Sequence, residues 1–390
     1  MPLINRFAET HAEITAIRRD LHEHPELQFD THRTSGIVAE KLRAWGCDEV
    51  KEGIGKTGVV GVIWGKQNSS GKVIGLRADM DALPIIEATG LDYASKTDGK
   101  MHACGHDGHT AMLLGAAQYL AETRNFDGTV CVIFQPAEEG GGGGREMVND
   151  GMMDEFGIQK VYGMHNMPSL PLGHFAIREG AFFASADHFE IKVTGKGGHA
   201  AKPHDCVDTT VVASHIVIAL QTIVSRNVDP IKNAVLSLTS FETESKAHNV
   251  IPEHVELRGT VRTLEADVRD QMEERLTAVV TSTAAAFGAS AVVEYHRNYP
   301  VMVNDPAETS FAADVARDVV GDAAVAEGVP AIMGGEDFAF MLEARPGSYI
   351  LIGNGDTAMV HHPEYNFDDE AIPTGASYWA RLAEIAMPAA

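Results

Sequence analysis

The sequence predicts an α/β protein: a main domain with a mixed, largely parallel sheet covered by helices, plus an inserted ferredoxin-like α+β domain. Short apolar strand patterns alternate with helical patterns over the first half of the chain, as in partly parallel sheets with helices on both faces. A β-α-β-β-α-β order follows, as in ferredoxin-like folds. The 390 residues exceed what one ordinary core holds. We therefore expect a main domain at 1–184 and 297–390 and an insertion at 185–296.

The elements of the main domain come in a clear order. Apolar residues at helical spacing predict an amphipathic helix over residues 3–21, and Thr110 to Leu120 predicts another helix. Compact β-rich runs predict strands at Val59–Trp64, Val73–Leu76, Val130–Phe134 and Val161–Met164. In such sheets, sites form at the carboxyl ends of strands. Asp79, Glu139 and His165 each fall just past one of these runs, which makes them site candidates.

The inserted domain begins with His188 to Val193, where alternating apolar and polar residues predict a strand. The stretch Val211 to Val224 is largely apolar, but it is interrupted by polar residues such as His215 and is shorter than the roughly 20 residues that a bilayer requires. A buried helix explains it better. The remaining predicted elements are two strands, a helix and a last strand, at Ala234–Leu238, Val255–Val261, Glu265–Phe287 and Ala291–Tyr295.

Composition excludes several classes of partner. A formal net charge of −24 argues against nucleic acid and membrane surfaces, and an anionic substrate would need a local cationic anchor. The four cysteines show no CxxC spacing and are too few for a disulfide framework, which favours a reducing compartment. The N-terminus has no basic stretch followed by an apolar run, so we expect no signal peptide and a cytoplasmic location.

The segment from His102 to His109 concentrates potential metal ligands. Cys104 and His106 are separated by a single residue, Gly105, which frees the backbone to turn so that thiolate and imidazole can close on one ion. A buried structural cysteine beside helix-capping residues is the plainer interpretation. The number of ligand types in so short a loop favours a metal, and a thiolate has enough lone pairs to bridge two ions.

Further candidates are the pair Glu138 and Glu139, His165, and His362 near the end of the chain. Neighbouring carboxylates point in different directions, so Glu139 suits a ligand and Glu138 a general base that takes a proton from a metal-activated water. Taken alone, Glu138 and Glu139 would be interpreted as a solvated acidic turn, and His165 and His362 would each be interpreted as a core residue. The five glycines at Gly140–Gly144 lack the pattern of a phosphate-binding or dinucleotide-binding loop.

The chain as a whole resembles the M20 metallopeptidase family, and within it the amidohydrolase branch of hippurate hydrolases and N-acyl-amino-acid amidohydrolases. The resemblance runs over nearly the whole chain. It is carried by the segments Arg18–His22, Pro25–Leu27, Arg77–Pro84, His102–His109, Gln135–Gly140, Gly163–Asn166, Gly195–Ala200, His248–Pro252, Gly334–Phe338 and His361–Pro363.

The resemblance implies a catalytic domain with a two-metal site. The implied ligands are Cys104, as the bridging ligand, His106, Glu139, His165 and His362. Glu138 is implied as the general base, and Asp81 as an aspartate that orients a ligand. The broader family carries a metal-binding histidine where this chain has Asp79, and a bridging aspartate where it has Cys104. The metal therefore stays open among zinc, manganese, nickel and cobalt.

For the insertion, the resemblance implies a lid and dimerisation domain, and hence a homodimer or homotetramer. His199 matches a histidine that reaches the partner subunit's site, and Asn249 a position that donates a hydrogen bond to the tetrahedral intermediate. Arg262 is our candidate anchor for a substrate carboxylate, because a guanidinium binds it bidentately; the plainer alternative is a surface ion pair. Gly335, in the Gly334–Phe338 segment, is a predicted substrate-binding position.

Together these features predict a metal-dependent amidohydrolase that cleaves the amide bond of a small N-acyl amino acid. A dipeptidase or aminopeptidase with the same site is the first alternative, although it needs an acidic group for a free α-amine that the sequence does not identify. A non-catalytic metal-binding scaffold is the second, and the presence of Glu138 argues against it.

Overall fold

The computed structural model describes residues 4–389. Its α-helices are α1 (Asn5–Glu23), α2 (His32–Ala44), α3 (His106–Thr123), α4 (Gly143–Asn149), α5 (Met152–Glu155), α6 (Thr209–Arg226), α7 (Ala266–Ala286), α8 (Pro306–Val320), α9 (Ala339–Ala344) and α10 (Ile372–Ala386). The first helix was predicted over residues 3–21, and Leu3 lies outside the described residues.

The strands are β1 (Glu49–Ile54), β2 (Gly58–Trp64), β3 (Val73–Asp79), β4 (Thr129–Gln135), β5 (Lys160–Met167), β6 (Phe175–Ile177), β7 (Gly180–Phe183), β8 (Ser185–Thr194), β9 (Gly198–His199), β10 (Ala234–Thr243), β11 (Val250–Ile251), β12 (His254–Thr263), β13 (Ser290–Tyr299), β14 (Met302–Asn304), β15 (Val325–Glu327) and β16 (Gly347–Gly353). Short 3-10 turns lie at Pro203–Asp205, Asp322–Ala324 and Asp369–Ala371.

The main sheet has eight strands in the order β1-β2-β4-β3-β5-β16-β6-β15. The pairs β3/β4, β3/β5, β5/β16 and β6/β15 are parallel, whereas β1/β2, β2/β4 and β6/β16 are antiparallel. The predicted mixed, largely parallel sheet is thus confirmed. Since β3, β4, β5 and β16 run in the same direction, their carboxyl ends meet at one edge of the sheet.

Helix α3 lies at the centre of the main core. Nearly all of its residues are buried, and it contacts both α1 and α10. A helix that is apolar on every side must be surrounded by protein, which fixes the position of its first turn. That first turn carries His106, so the packing of the helix determines where this imidazole lies.

The second unit is the predicted ferredoxin-like insertion. Strands β8, β10, β12 and β13 form a fully antiparallel sheet in the order β10-β12-β8-β13. Along β8, buried and exposed residues alternate, and the buried side packs against the apolar faces of α6 and α7. By length and composition α6 is the one described helix that qualifies as a membrane span, with a mean hydropathy of 1.3. Only 33% of this helix is buried, and that face belongs to this core, so the prediction of a buried helix holds for one face of α6 only.

The two units divide the chain differently from the predicted limits of 184/185 and 296/297. The second unit comprises Ala181–Met302 and Ala331–Glu336, and the first contains the rest. The second segment joins because Ala184 N donates to Ile332 O and Gly334 O, both at 3.0 Å. Such pairing between distant segments leaves no periodic pattern, so the sequence did not indicate it.

Candidate metal centre

Strand β3 delivers the first carboxylates to the edge of the main sheet. Asp79, its last residue, is fully buried; its Oδ2 accepts from Arg77 Nη1 at 2.8 Å, and its Oδ1 from His109 Nδ1 at 2.6 Å. Burial alone would raise the pKa of Asp79, but the attraction of His106 and Arg77 and the hydrogen bond from His109 hold it well below its usual value. Asp79 is therefore a buried anion that orients histidines.

His109 is engaged at both ring nitrogens. Its Nδ1 donates to Asp79, and its Nε2 accepts from Asn166 N at 2.9 Å. His109 thus supports the site from behind and has no nitrogen left for a metal. His106 and His109 look alike in the sequence, and only the hydrogen-bond network shows that their roles differ.

Asp81 fixes the loop that carries the two glutamates. Its Oδ1 accepts from Glu138 N at 2.9 Å and its Oδ2 from Glu139 N at 3.1 Å. Oδ1 also lies 3.5 Å from His106 Nδ1. One buried carboxylate thereby sets the directions of Glu138, Glu139 and His106, which is how groups behind metal ligands orient them.

The turn from Cys104 to His106 requires the glycine between them. Gly105 has φ 88°, and a Cβ there would collide with the side chains of Asn166 and Tyr365. Cys104 Sγ lies 3.3 Å from His165 Nε2. Burial and the nearby Glu139 raise the pKa of the Cys104 thiol, so a thiolate at this position needs a cation beside it.

Glu139 completes the cluster together with a histidine from the end of the chain. Glu139 Oε1 lies 3.3 Å from His361 Nε2 and 4.0 Å from His106 Nε2. The backbone just before the glutamates is strained, since Ala137 has φ 53°. Glu138 is buried, and its carboxylate lies within 4.8 Å of the ligand atoms of His106 and Glu139.

The residues present fit a pair of cations. His106 Nδ1 and Nε2 and Glu139 Oε1 are buried and form no hydrogen bond, and a bound cation is one of the few partners that would satisfy such atoms. Ligand atoms in each of three groups lie within 4.8 Å of one another. The groups are Cys104/His106/His165, Cys104/Glu139/His361 and His106/Glu138/Glu139. Cys104 belongs to two of them, which is the arrangement a bridging thiolate requires.

The histidine in this cluster is His361, and the prediction of His362 requires correction. His361 N donates to Ala103 O at 2.7 Å, which ties it to the Cys104 loop, and its φ of 68° turns the chain there. His362 Nδ1 instead accepts from Glu364 N at 3.1 Å. The neighbouring Cys104 and Glu139 side chains raise the pKa of His361 to about 10. Adjacent histidines cannot be distinguished without this backbone geometry.

A second buried network lies behind the first turn of α3, which the sequence indicated only as the Arg18–His22 segment. Asp107 Oδ2 forms an ion pair with Arg18, whose Nε lies 2.9 Å away, and accepts a hydrogen bond from His22 Nδ1 at 2.8 Å; all three side chains are buried. Burial raises the pKa of Asp107, but the Arg18 charge outweighs it and lowers that pKa far below its usual value. Because Asp107 directly follows His106, this network also fixes the backbone of His106.

The remaining predicted site residues belong to the second unit. His199 is the last residue of β9 and Asn249 directly precedes β11; Ala200 N donates to Asn249 O at 3.0 Å, and both side chains are exposed. They are thus adjacent to one another. Gly335 lies in the 331–336 segment, where a Cβ would come within 2.6 Å of Ala186 Cβ. Its structural role is close packing.

Arg262 lies on β12 and is half-buried. Its Nη1 donates to Asp187 O at 3.3 Å and to Val261 O at 3.2 Å. Within residues 4–389 it forms no ion pair with a carboxylate, so the surface ion pair considered above is not present. Burial lowers the pKa of Arg262. A guanidinium without an acidic partner retains capacity for an anionic ligand.

Comparison with known proteins agrees with this geometry. Residues 75–385 match the model of peptidase family M20/M25/M40. The chain is 42% identical to hippurate hydrolase of Campylobacter jejuni over 98% of this chain and 99% of that protein. It is 41% identical to N-acetylcysteine deacetylase of Bacillus subtilis, covering 97% of each. A solved dinuclear metal-binding M20 peptidase from Bacillus subtilis superposes with a TM-score of 0.83 at 37% identity, covering 97% of this chain and 99% of the other.

Proposed function

The chain belongs to peptidase family M20/M25/M40, and from this premise we propose that it is a metal-dependent amidohydrolase of N-acyl amino acids. It cleaves the amide bond to give a carboxylic acid and a free amino acid. Full-length relatives at about 40% identity carry hippurate hydrolase and N-acetylcysteine deacetylase activities, which supports this substrate class. The observation that carries the proposal is the thiolate donor shared between two ligand groups, with Glu138 beside them.

Two divalent cations fit the cluster, with Cys104, His106, Glu139, His165 and His361 as their ligands. Support comes from the unpaired buried ligand atoms and from the dinuclear relative of known structure. Zinc suits the thiolate and imidazoles, manganese suits the carboxylate, and nickel and cobalt accept both. When bound, the cations supply Lewis acidity toward the scissile carbonyl and lower the pKa of water to about 7.

Glu138 is the proton carrier. Its carboxylate takes a proton from the attacking water and returns it to the nitrogen of the leaving amino acid. Asp81 keeps it in place by accepting from the Glu138 amide, so the carboxylate is oriented without a metal bond of its own. Burial of Cys104, His106 and Glu138 limits competing water around them and strengthens their electrostatic interactions.

The second unit supplies groups for the transition state and for specificity. In this proposal His199 of one subunit meets the oxyanion at the site of its dimer partner, Asn249 donates a hydrogen bond there, and Arg262 binds the substrate carboxylate, with Gly335 beside the substrate. The family resemblance and the unpaired guanidinium support these roles. A homodimer, with tetramers as a further option, and a cytoplasmic location complete the proposal.

Glu138→Gln tests the function. We expect turnover of N-acetyl and N-benzoyl amino acids to fall by about 10²- to 10⁴-fold, the usual contribution of a general base, while metal content stays at the wild-type level. Glu364→Gln, an exposed glutamate one turn past the metal-site histidine, is the matched control and should keep full activity. Near-normal turnover by Glu138→Gln would show that Glu138 is not the general base. If the wild-type enzyme cleaves unblocked dipeptides faster than N-acyl amino acids, a peptidase is favoured.

A further inference from the structure

An open cleft lies beside the metal centre within the first unit. Its volume is about 440 Å³, inside the range of small-molecule sites. It is lined by Leu27, Gln28, Phe29, Asp30, Ala82, Pro84 and Glu139. One wall therefore contains a candidate metal ligand, and the others are largely apolar.

The walls of the cleft are tied to the loops that carry the metal ligands. Ala82 directly follows Asp81, and Ala82 N donates to Glu26 O at 2.8 Å. Leu27 forms a parallel bridge with Ala82. Gln28, at the strained φ of 48°, donates from Nε2 to Glu139 O at 3.4 Å. Since these bonds hold the walls, the cleft keeps its position relative to Glu139.

Phe29 is the largest apolar group in the cleft, and its ring lies against the glycine turn. A Cβ on Gly141 would come within 3.2 Å of Phe29 Cε2 and 2.6 Å of Ala137 Cβ. Lys56 Nζ lies 3.6 Å from the centroid of the same ring. The turn after Glu139 therefore needs a glycine at 141, and the Phe29 ring is held against this turn.

The charges in the cleft decide which end of a substrate it accepts. Asp30 lines the cleft and repels the carboxylate of an N-acyl amino acid, whereas the charge of Glu139 is neutralised when this residue binds a cation. The acyl group is uncharged, and its carbonyl carbon must lie at the metal ligands.

We infer that this cleft is the acyl-binding pocket and that Phe29 selects aromatic and larger aliphatic acyl groups over acetyl. The inference rests on the proposed function. A group that reaches the Phe29 ring gains apolar contact, whereas an acetyl group ends before it. Phe29 is thus a specificity-determining residue.

The experiment compares kcat/KM for N-benzoyl and N-acetyl derivatives of one amino acid. In Phe29→Ala we expect the benzoyl value to fall by about tenfold or more and the acetyl value to change by less than about threefold, as expected for lost contact in an apolar pocket. Phe29→Leu, which keeps an apolar side chain against Gly141, should show a smaller loss of the same selectivity. Phe311→Ala is the matched control, because Phe311 lines a separate cavity with Val73 and Lys160 at the opposite ends of β3 and β5; its selectivity should stay at the wild-type ratio.

The possible failures are distinguishable. Equal loss on both substrates in Phe29→Ala, with or without loss of metal, overturns the pocket assignment and leaves the proposed function standing. A KM increase for both substrates in Lys56→Gln, with an unchanged ratio in Phe29→Ala, means that the cleft takes the carboxylate and also overturns it. If the wild-type enzyme cleaves neither substrate, the proposed function itself fails. A selective benzoyl loss with wild-type metal content supports the pocket.

Discussion

Replacing His361 and His362 one at a time tests which of these two adjacent histidines binds metal. His361 Nε2 lies 3.3 Å from Glu139 Oε1 and belongs to a ligand group with Cys104, whereas His362 caps its own turn. We expect His361→Ala to lose metal and activity and His362→Ala to retain both. The two variants remove the same side chain from neighbouring positions, so each is the control for the other.

The expected changes in the free energy of unfolding and in metal affinity follow from the exposure of the His361 side chain and from its proposed role as a metal ligand. The His361 side chain is 53% exposed and lies 3.3 Å from Glu139 Oε1, so its removal should lower the free energy of unfolding of the metal-free protein by no more than about 1 kcal/mol, the upper end for an exposed ion pair. Loss of a group that merely orients a ligand weakens metal binding about 10- to 100-fold, and loss of a direct ligand should weaken it at least as much.

The assay is metal analysis after dialysis against a weak chelator, with thermal unfolding and kcat/KM on the same samples. The predicted result is a lower metal stoichiometry and loss of activity in His361→Ala, with an apo melting temperature close to that of the wild type. Full metal occupancy in His361→Ala, or metal loss in His362→Ala instead, would refute the reasoning.

Three further results are expected. Cys104→Ala should lose metal, since it removes the shared donor, and retained wild-type stoichiometry in elemental analysis would exclude Cys104 as a ligand. Burial lowers the pKa of His22, but hydrogen bonds to Asp107 and Glu87 raise it overall, so its stabilising contribution is complete below about pH 6.5 and is lost as pH rises through the raised pKa. The stability difference between wild type and His22→Gln should therefore shrink on going from about pH 6 to about pH 9 in chemical denaturation, and a constant difference contradicts this. Mixed His199→Ala and Glu138→Gln subunits should regain activity if the site is shared between chains, and proven subunit exchange without recovery argues against sharing.

Local sequence patterns were sufficient for much of the site. Cys104 and His106 are two residues apart in one short loop. Glu139 follows β4 and His165 lies near the carboxyl end of β5, so the rule for carboxyl ends of a parallel sheet was enough to bring Glu139 and His165 to one edge. The structure does bring these four side chains together. The ferredoxin-like insertion was equally visible, because its strands and helices are long and periodic.

What the sequence could not provide depends on contacts between distant segments. The choice of His361 over His362 follows from a left-handed backbone and a hydrogen bond to Ala103 O, neither of which has a local pattern. The role of His109 as a support follows from its bonds to Asp79 and Asn166. The segment 331–336 joins the second unit through two backbone bonds to Ala184.

The most direct test of the paired-metal centre is X-ray diffraction from metal-loaded crystals at the absorption edge of the bound ion. The account predicts two anomalous peaks that share Cys104 Sγ at roughly 2.3 Å if zinc is bound, with His361 on one ion and both ions next to Glu138. A single peak, or peaks away from Cys104, would contradict it.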